Sequence, residues 1–119
     1  MKVTVNDIFL LHDGLSLLGE KELPVKVAFK LQKNLRHVGE EFETAQKLRS
    51  KIVEKYKESE LDNGKVKIKE NKLDQFKQDI DELLNQHVEV QLQLISLDEL
   101  EGIKVAPSVL SKAHKILKG

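Results

Sequence analysis

Residues Pro24 to Tyr56 read PVKVAFKLQKNLRHVGEEFETAQKLRSKIVEKY. Apolar side chains recur at Ala28, Leu31, Leu35, Val38, Phe42, Ala45, Ile52 and Tyr56, the three-and-four spacing of one helical face. Only Arg49 interrupts it, with Leu48 beside it. Pro24 suits the first position, because its missing N–H would be unpaired there anyway. At 1.5 Å per residue such a helix is roughly 50 Å long. A compact chain of this size has a radius of gyration of only about 13–14 Å. The helix must therefore span the molecule, and shorter elements must line up along it.

Before it, Val5, Ile8, Leu11, Leu15 and Leu18 repeat in the same way, which predicts a first helix over about Asn6–Leu18. Thr4 and Asn6 are its candidate N-caps. Gly14 weakens its middle by about 1 kcal/mol relative to Ala, and Gly19 is placed to stop it in a left-handed conformation. Met1 to Val5 reads either as a strand stub or as the approach to this helix.

After Tyr56 the pattern changes. Leu61-Asp62-Asn63-Gly64-Lys65-Val66 carries Asn-Gly, a short hairpin signal. Val66 and Ile68 alternate with Lys65, Lys67 and Lys69 as a short strand. Asn71 is the candidate cap of a third helix, roughly Lys72–Gln86, with Leu73, Phe76, Ile80, Leu83 and Leu84 as its stripe. It should return against the C-terminal half of the long helix as a helical hairpin, burying Phe42 and Phe76.

Val88, Val90, Leu92 and Leu94 alternate with Glu89, Gln91 and Gln93 and predict a strand over Val88–Leu94. Ser96 to Glu99 is a capping box opening a short turn that Gly102 ends. Ile103–Val105 is extended. Pro107 or Ser108 starts a last helix with Val109, Leu110, Ala113, Ile116 and Leu117 inward, filling the remaining groove. The fold class expected is α+β, mainly α. It is one domain over residues 1–119, with a long central helix (about 24–57) packed by shorter helices and a small hairpin or strand element.

Composition bounds function. Twenty Lys+Arg balance twenty Asp+Glu, so no global field selects nucleic acid or a membrane. The absence of cysteine removes disulfides and thiolate metal sites. The N-terminus is polar where a signal peptide needs an apolar run, and the longest apolar run, Ile8–Leu11, falls far short of a membrane span. These readings place the chain in a cytoplasm, without excluding disulfide-independent export.

With those segments in place, a family can be named. Leu23-Pro24-Val25-Lys26-Val27-Ala28-Phe29-Lys30-Leu31, Glu54-Lys55-Tyr56 before Asn63-Gly64, Leu83-Leu84-Asn85, Val88-Glu89-Val90, and Leu97 to Gly102 followed by Pro107 carry the likeness. The chain resembles a group of small bacteriophage and prophage proteins of unknown function, mostly from Gram-positive hosts. The resemblance covers most of the chain. It implies a phage origin, a helical body, and residence in the host cytoplasm or the virion. It brings no catalytic residues to transfer.

His12, His37, His87 and His114 stand far apart without the helical pairs of metal sites. Glu40, Glu41, Asp79, Asp81 and Glu82 read as charged helix faces, not acid–base pairs. No serine sits in a nucleophile elbow, and no glycine-rich phosphate loop exists. No enzyme activity, cofactor or metal is therefore expected.

Two surfaces are candidates. The strand residues Val88, Val90, Gln91, Leu92 and Leu94 form an edge on which a protein partner or a second copy can pair. Lys65, Lys67, Lys69 and Lys72 are the one local basic cluster, an alternative nucleic-acid patch. That patch lacks interleaved aromatics and equally suits an edge protected from aggregation. The long helix is either a core stripe or an oligomeric coiled-coil seam, and both hold if Leu48, Val53, Val25 or Val27 widen its apolar surface. The function expected is protein–protein contact, as a virion or assembly accessory or an inhibitor of a host protein. A nucleic-acid-binding accessory is the alternative.

Overall fold

The structure, a computed structural model, describes residues 1–61 and 63–119. It is mainly helical α+β, built along one helix, with small strand pairs. Three elements organise the N-terminal half: β1 (Lys2–Thr4), α1 (Val5–Leu18) and α2 (Val25–Tyr56). The molecule measures 51 × 31 × 20 Å with a radius of gyration of 16.9 Å. The long dimension is that of α2, which is why the radius exceeds the compact value.

Helix α1 starts with a capping box. Thr4 Oγ1 accepts from the Asp7 amide at 3.1 Å, and the Thr4 amide donates to Asp7 Oδ2 at 2.9 Å. The cap is thus Thr4 and not Asn6. The expected left-handed stop at Gly19 is corrected: Gly19 has φ −66°. The helix unwinds instead through right-handed turns, Glu20 N–H to Leu17 and Lys21 N–H to Leu18. These satisfy the last carbonyls without a positive φ.

Beyond α2 the chain makes a hairpin, β2 (Lys57–Glu60) antiparallel to β3 (Val66–Ile68). The connecting loop is wider than a two-residue turn. The Leu61 amide bonds the Lys65 carbonyl at 2.7 Å, and Gly64 supplies a positive φ, +79°. Asp62, part of the expected turn, lies outside the described residues. Helix α3 (Leu73–Leu84) follows and returns along the C-terminal half of α2. Its expected cap, Asn71, is corrected, because Asn71 sits inside a 3-10 turn over Glu70–Lys72. That turn supplies Glu70's carbonyl to the Leu73 amide, so no side chain caps α3.

The strand expected over Val88–Leu94 is also corrected. Only β4 (His87–Glu89) forms, antiparallel to β1 with Val3 opposite Val88. The ladder closes with Met1 and Val90 exchanging two bonds, at 2.8 and 3.0 Å. At its other end the ladder stops where β1 gives way to α1 at Val5. The chain then passes β5 (Ile95–Ser96), a capped 3-10 turn over Leu97–Leu100 and Gly102 at φ +82°. Last come α4 (Pro107–Lys112) and β6 (Leu117–Lys118), which pairs parallel to β5. The final helix is thus shorter than expected, and its inward residues continue into a 3-10 turn over His114–Ile116.

The core is aliphatic: Ile8, Leu11 and Leu15 of α1 meet Leu31 and Val38 of α2, Ile95, and Ile116. A second, smaller cluster of Val5, Ala45 and Leu83 joins α1, α2 and α3. α4 does not fill a groove on α2; it crosses α1 at Gly14. A Cβ at Gly14 would stand 2.9 Å from Lys112 Cβ and 3.1 Å from the Ala113 nitrogen. The glycine that looked like a weakness is the crossing point. Phe42 and Phe76 are half-buried, short of the burial expected of them. Phe42 stacks on His12, ring centroids 3.8 Å apart, and Phe76 packs edge-on against Tyr56 at 6.0 Å. No helix of the described residues is long and apolar enough to cross a membrane.

Candidate interaction surface

The inner face of α2 is occupied from end to end. Its outer face is not, and two apolar side chains stand on it. Val25 is 85% exposed and Phe29 60% exposed. Burial of either would be favourable by about 25 cal/mol per Å² of apolar area. Phe29 lies on the side of the helix opposite the buried Leu31 and Val38, as helical spacing requires. Lys33 Nζ stands 4.7 Å from the centre of its ring. Of the apolar residues expected to widen this surface, Val27 is core, Val53 half-buried, and Leu48 exposed.

The same half of α2 is basic against its dipole, with Lys26, Lys30, Lys33 and Arg36 and no acidic residue in the first turn. One acidic neighbour offsets this. Lys30 Nζ reaches both Glu99 oxygens at 3.0 and 3.1 Å. The Ser96 backbone amide, then Lys30, hold the Glu99 carboxyl below its ordinary range. Further along, Glu40, Glu41 and Glu43 make an acidic block. A groove of about 370 Å³ opens beside Gly39, with His12, Arg36, Phe42 and Glu43 on its walls.

The expected docking edge is differently placed. Val90 is buried, Val88 and Leu92 half-buried, and Gln91 and Leu94 exposed. One edge of β4 pairs with β1, and Glu89 and Val90 line a groove against Glu41 of α2. Past Val90, α2 side chains take the backbone. His37 Nδ1 donates to the Gln91 carbonyl at 2.7 Å, and Lys30 Nζ approaches the Leu94 carbonyl at 3.5 Å. Asn34 bonds both backbone groups of Gln93. Side chains of α2 thus take the backbone from Gln91 to Leu94, while β4 itself pairs with β1 along one edge.

Lys65, Lys67 and Lys69 do share the exposed face of the hairpin, with Lys72 exposed nearby. Lys67 pairs with Glu58 at 3.3 Å, and Glu60 and Glu54 both bond Lys57 at 3.1 Å. These carboxylates interrupt the positive field. His12 and His37 are engaged as above, His114 bonds the Ser111 carbonyl, and His87 is exposed. Among the described residues no group of histidines and carboxylates is arranged to hold a metal ion. Asp79 accepts from Tyr56 instead of facing a second carboxylate.

No protein-family model, curated protein or solved structure matches this chain. The resemblance to phage proteins therefore rests on the sequence words that carry it. The exposed pair Val25 and Phe29 was not legible as a site from the α2 stripe alone. The signal available was an aromatic residue placed off that stripe, on an otherwise polar face.

Proposed function

We propose that this chain is a non-enzymatic, phage-encoded protein that works by contact with other protein, as a virion or assembly accessory or as an inhibitor of a host protein. The observation that carries the reading is the exposure of Val25 and Phe29 on a long helix packed by α1 and α3. Isolated exposed apolar residues are ordinary. Here two lie one turn apart on a helix whose position the core holds, the spacing by which helical surfaces are recognised. The lysine face of the hairpin gives weaker support to nucleic acid, because Glu58 and Glu60 stand among its lysines.

The test is capture from phage-infected host cells on immobilised chain, read by mass spectrometry against an unrelated helical protein of equal charge. A specific virion component or host protein is the expected product. The double variant Val25→Ser with Phe29→Ser then assigns the contact to this face or away from it. Enrichment of nothing beyond the control overturns the reading.

A further inference from the structure

Val25, Phe29, Arg36, Glu43, Ser50 and Glu54 form one stripe along the outer face of α2, spaced by four or seven residues, and all are exposed. Charge is segregated along it. From Val25 to Gly39 the helix carries only cations, and Glu40, Glu41 and Glu43 follow directly. Among the described residues, only Lys30 of these charged groups makes an ion pair within the chain. Arg36 and Glu43 thus stand as unpaired opposite charges on either side of Gly39.

Turned about a two-fold axis beside Gly39, the helix lays this stripe along the same stripe of its copy. Arg36 falls opposite Glu43 of the second copy, and symmetry makes the pair twice. The same rotation lays Phe29 opposite Ser50 and Val25 opposite Glu54. There the surface is hollow, an open groove of about 480 Å³ lined by Gln46, Arg49, Ser50, Val53, Glu54 and Val66. At the axis itself Gly39 carries no side chain, and a Cβ there would meet nothing within 4 Å. Two helices can approach closely at such a point, and packed pairs lie about 8–10 Å apart.

We propose that a second copy of this chain docks on the outer face of α2, antiparallel, with Phe29 of each copy seated in the groove beside Ser50 of the other. The proposal rests on reading that face as a protein contact, and it names the occupant. A polyanion or an anionic bilayer suits the face less well, because the acidic block adjoins the basic one and repels either. A copy pairs Arg36 with Glu43 twice and offers each Phe29 a groove.

Analytical ultracentrifugation at tens of micromolar protein and low salt tests this, with circular dichroism to confirm each fold. The wild type is expected to dimerise, more weakly as salt rises. Arg36→Glu and Glu43→Arg each set like charges opposite one another at two places, and each should weaken association by at least about tenfold. Combined, R36E and E43R restore opposite charges and should return association to near wild type. Phe29→Ser should weaken it without touching the charges. A wild type that stays monomeric overturns the pairing, as do single reversals without effect or a double variant that fails to recover. A monomer that still captures a partner from infected cells would leave the interaction reading standing and remove only the second copy from this face.

Discussion

Asn34 is paired with the backbone of Gln93 as though it were a strand residue. Its Nδ2 donates to the Gln93 carbonyl at 2.9 Å, and its Oδ1 accepts from the Gln93 amide at 2.7 Å. Asn34 is fully buried, the one buried polar residue among the described residues. The amide carries a donor and an acceptor in the geometry of a peptide group, so it takes up the chain where β4 ends. Asn34→Ala leaves both backbone groups without partners, at a cost of about 2–3 kcal/mol. Urea denaturation measures it; a loss under about 0.5 kcal/mol would show that water replaces the side chain freely.

Gly14 and Gly39, both inside helices, should answer the same substitution with opposite signs. Alanine at Gly14 drives a Cβ into Lys112 Cβ and the Ala113 backbone. Overpacking of this kind costs about 1–3 kcal/mol, which outweighs the roughly 1 kcal/mol of added helix propensity. Alanine at Gly39 meets nothing and should stabilise the monomer by about 0.5–1 kcal/mol. Thermal unfolding at a concentration where the chain is monomeric checks both, and two shifts of the same sign would contradict the α1–α4 crossing.

The Glu99 carboxyl is held below its ordinary range by the Ser96 amide and then by Lys30. A depressed acid pKa contributes stability that is present above the unfolded value and lost as pH falls through the folded one. Stability should therefore fall on the acid side of the normal glutamate range. Glu99→Gln should flatten that limb. NMR titration of the Glu99 carboxyl carbon gives the midpoint directly, and a value at or above that of a model glutamate would remove the explanation.

Tyr56 is the single tyrosine, in a chain without tryptophan, so its absorbance reports the α2–α3 contact alone. Its hydroxyl donates to Asp79 Oδ2 at 2.7 Å, and that bond chiefly raises the phenol above its usual value of 10.0. The contribution of this bond to stability is present below the unfolded phenol pKa and fades as pH rises through the folded one. Alkaline titration followed at the phenolate band should show a midpoint above that of free tyrosine. Asp79→Asn should lower it, and an unchanged midpoint would mean that the two side chains do not meet in solution.

Phe42 shows how a sequence reading overshoots. On the α2 stripe it promised to be largely buried, and with that a loss of about 3–5 kcal/mol on truncation. In the fold it is half-buried, stacked on His12 and edge-on to Phe9 at 5.5 Å. Phe42→Ala should accordingly cost less, about 2 kcal/mol, in chemical denaturation. A loss above about 4 kcal/mol would show that the His12 stack seals the ring from water.

What the sequence determined by itself was whatever its neighbours along the chain decide. The extent of α2, the Ser96 to Glu99 box and the hairpin after Tyr56 all depend on residues a few positions apart, whose spacing and side-chain reach are legible in one dimension. What only the tertiary structure decided depends on which element lands opposite which. The alternation from Val88 to Leu94 promised one long strand, but β1 offered three residues to pair with, and Asn34 and His37 of α2 took the rest. Asn34 is buried only by its meeting with Gln93. Gly14 read as a weak place in a helix until α4 crossed there, and Phe29 is exposed because no other element comes to cover it. Burial and pairing are properties of contacts between distant segments, and no local pattern specifies the partner.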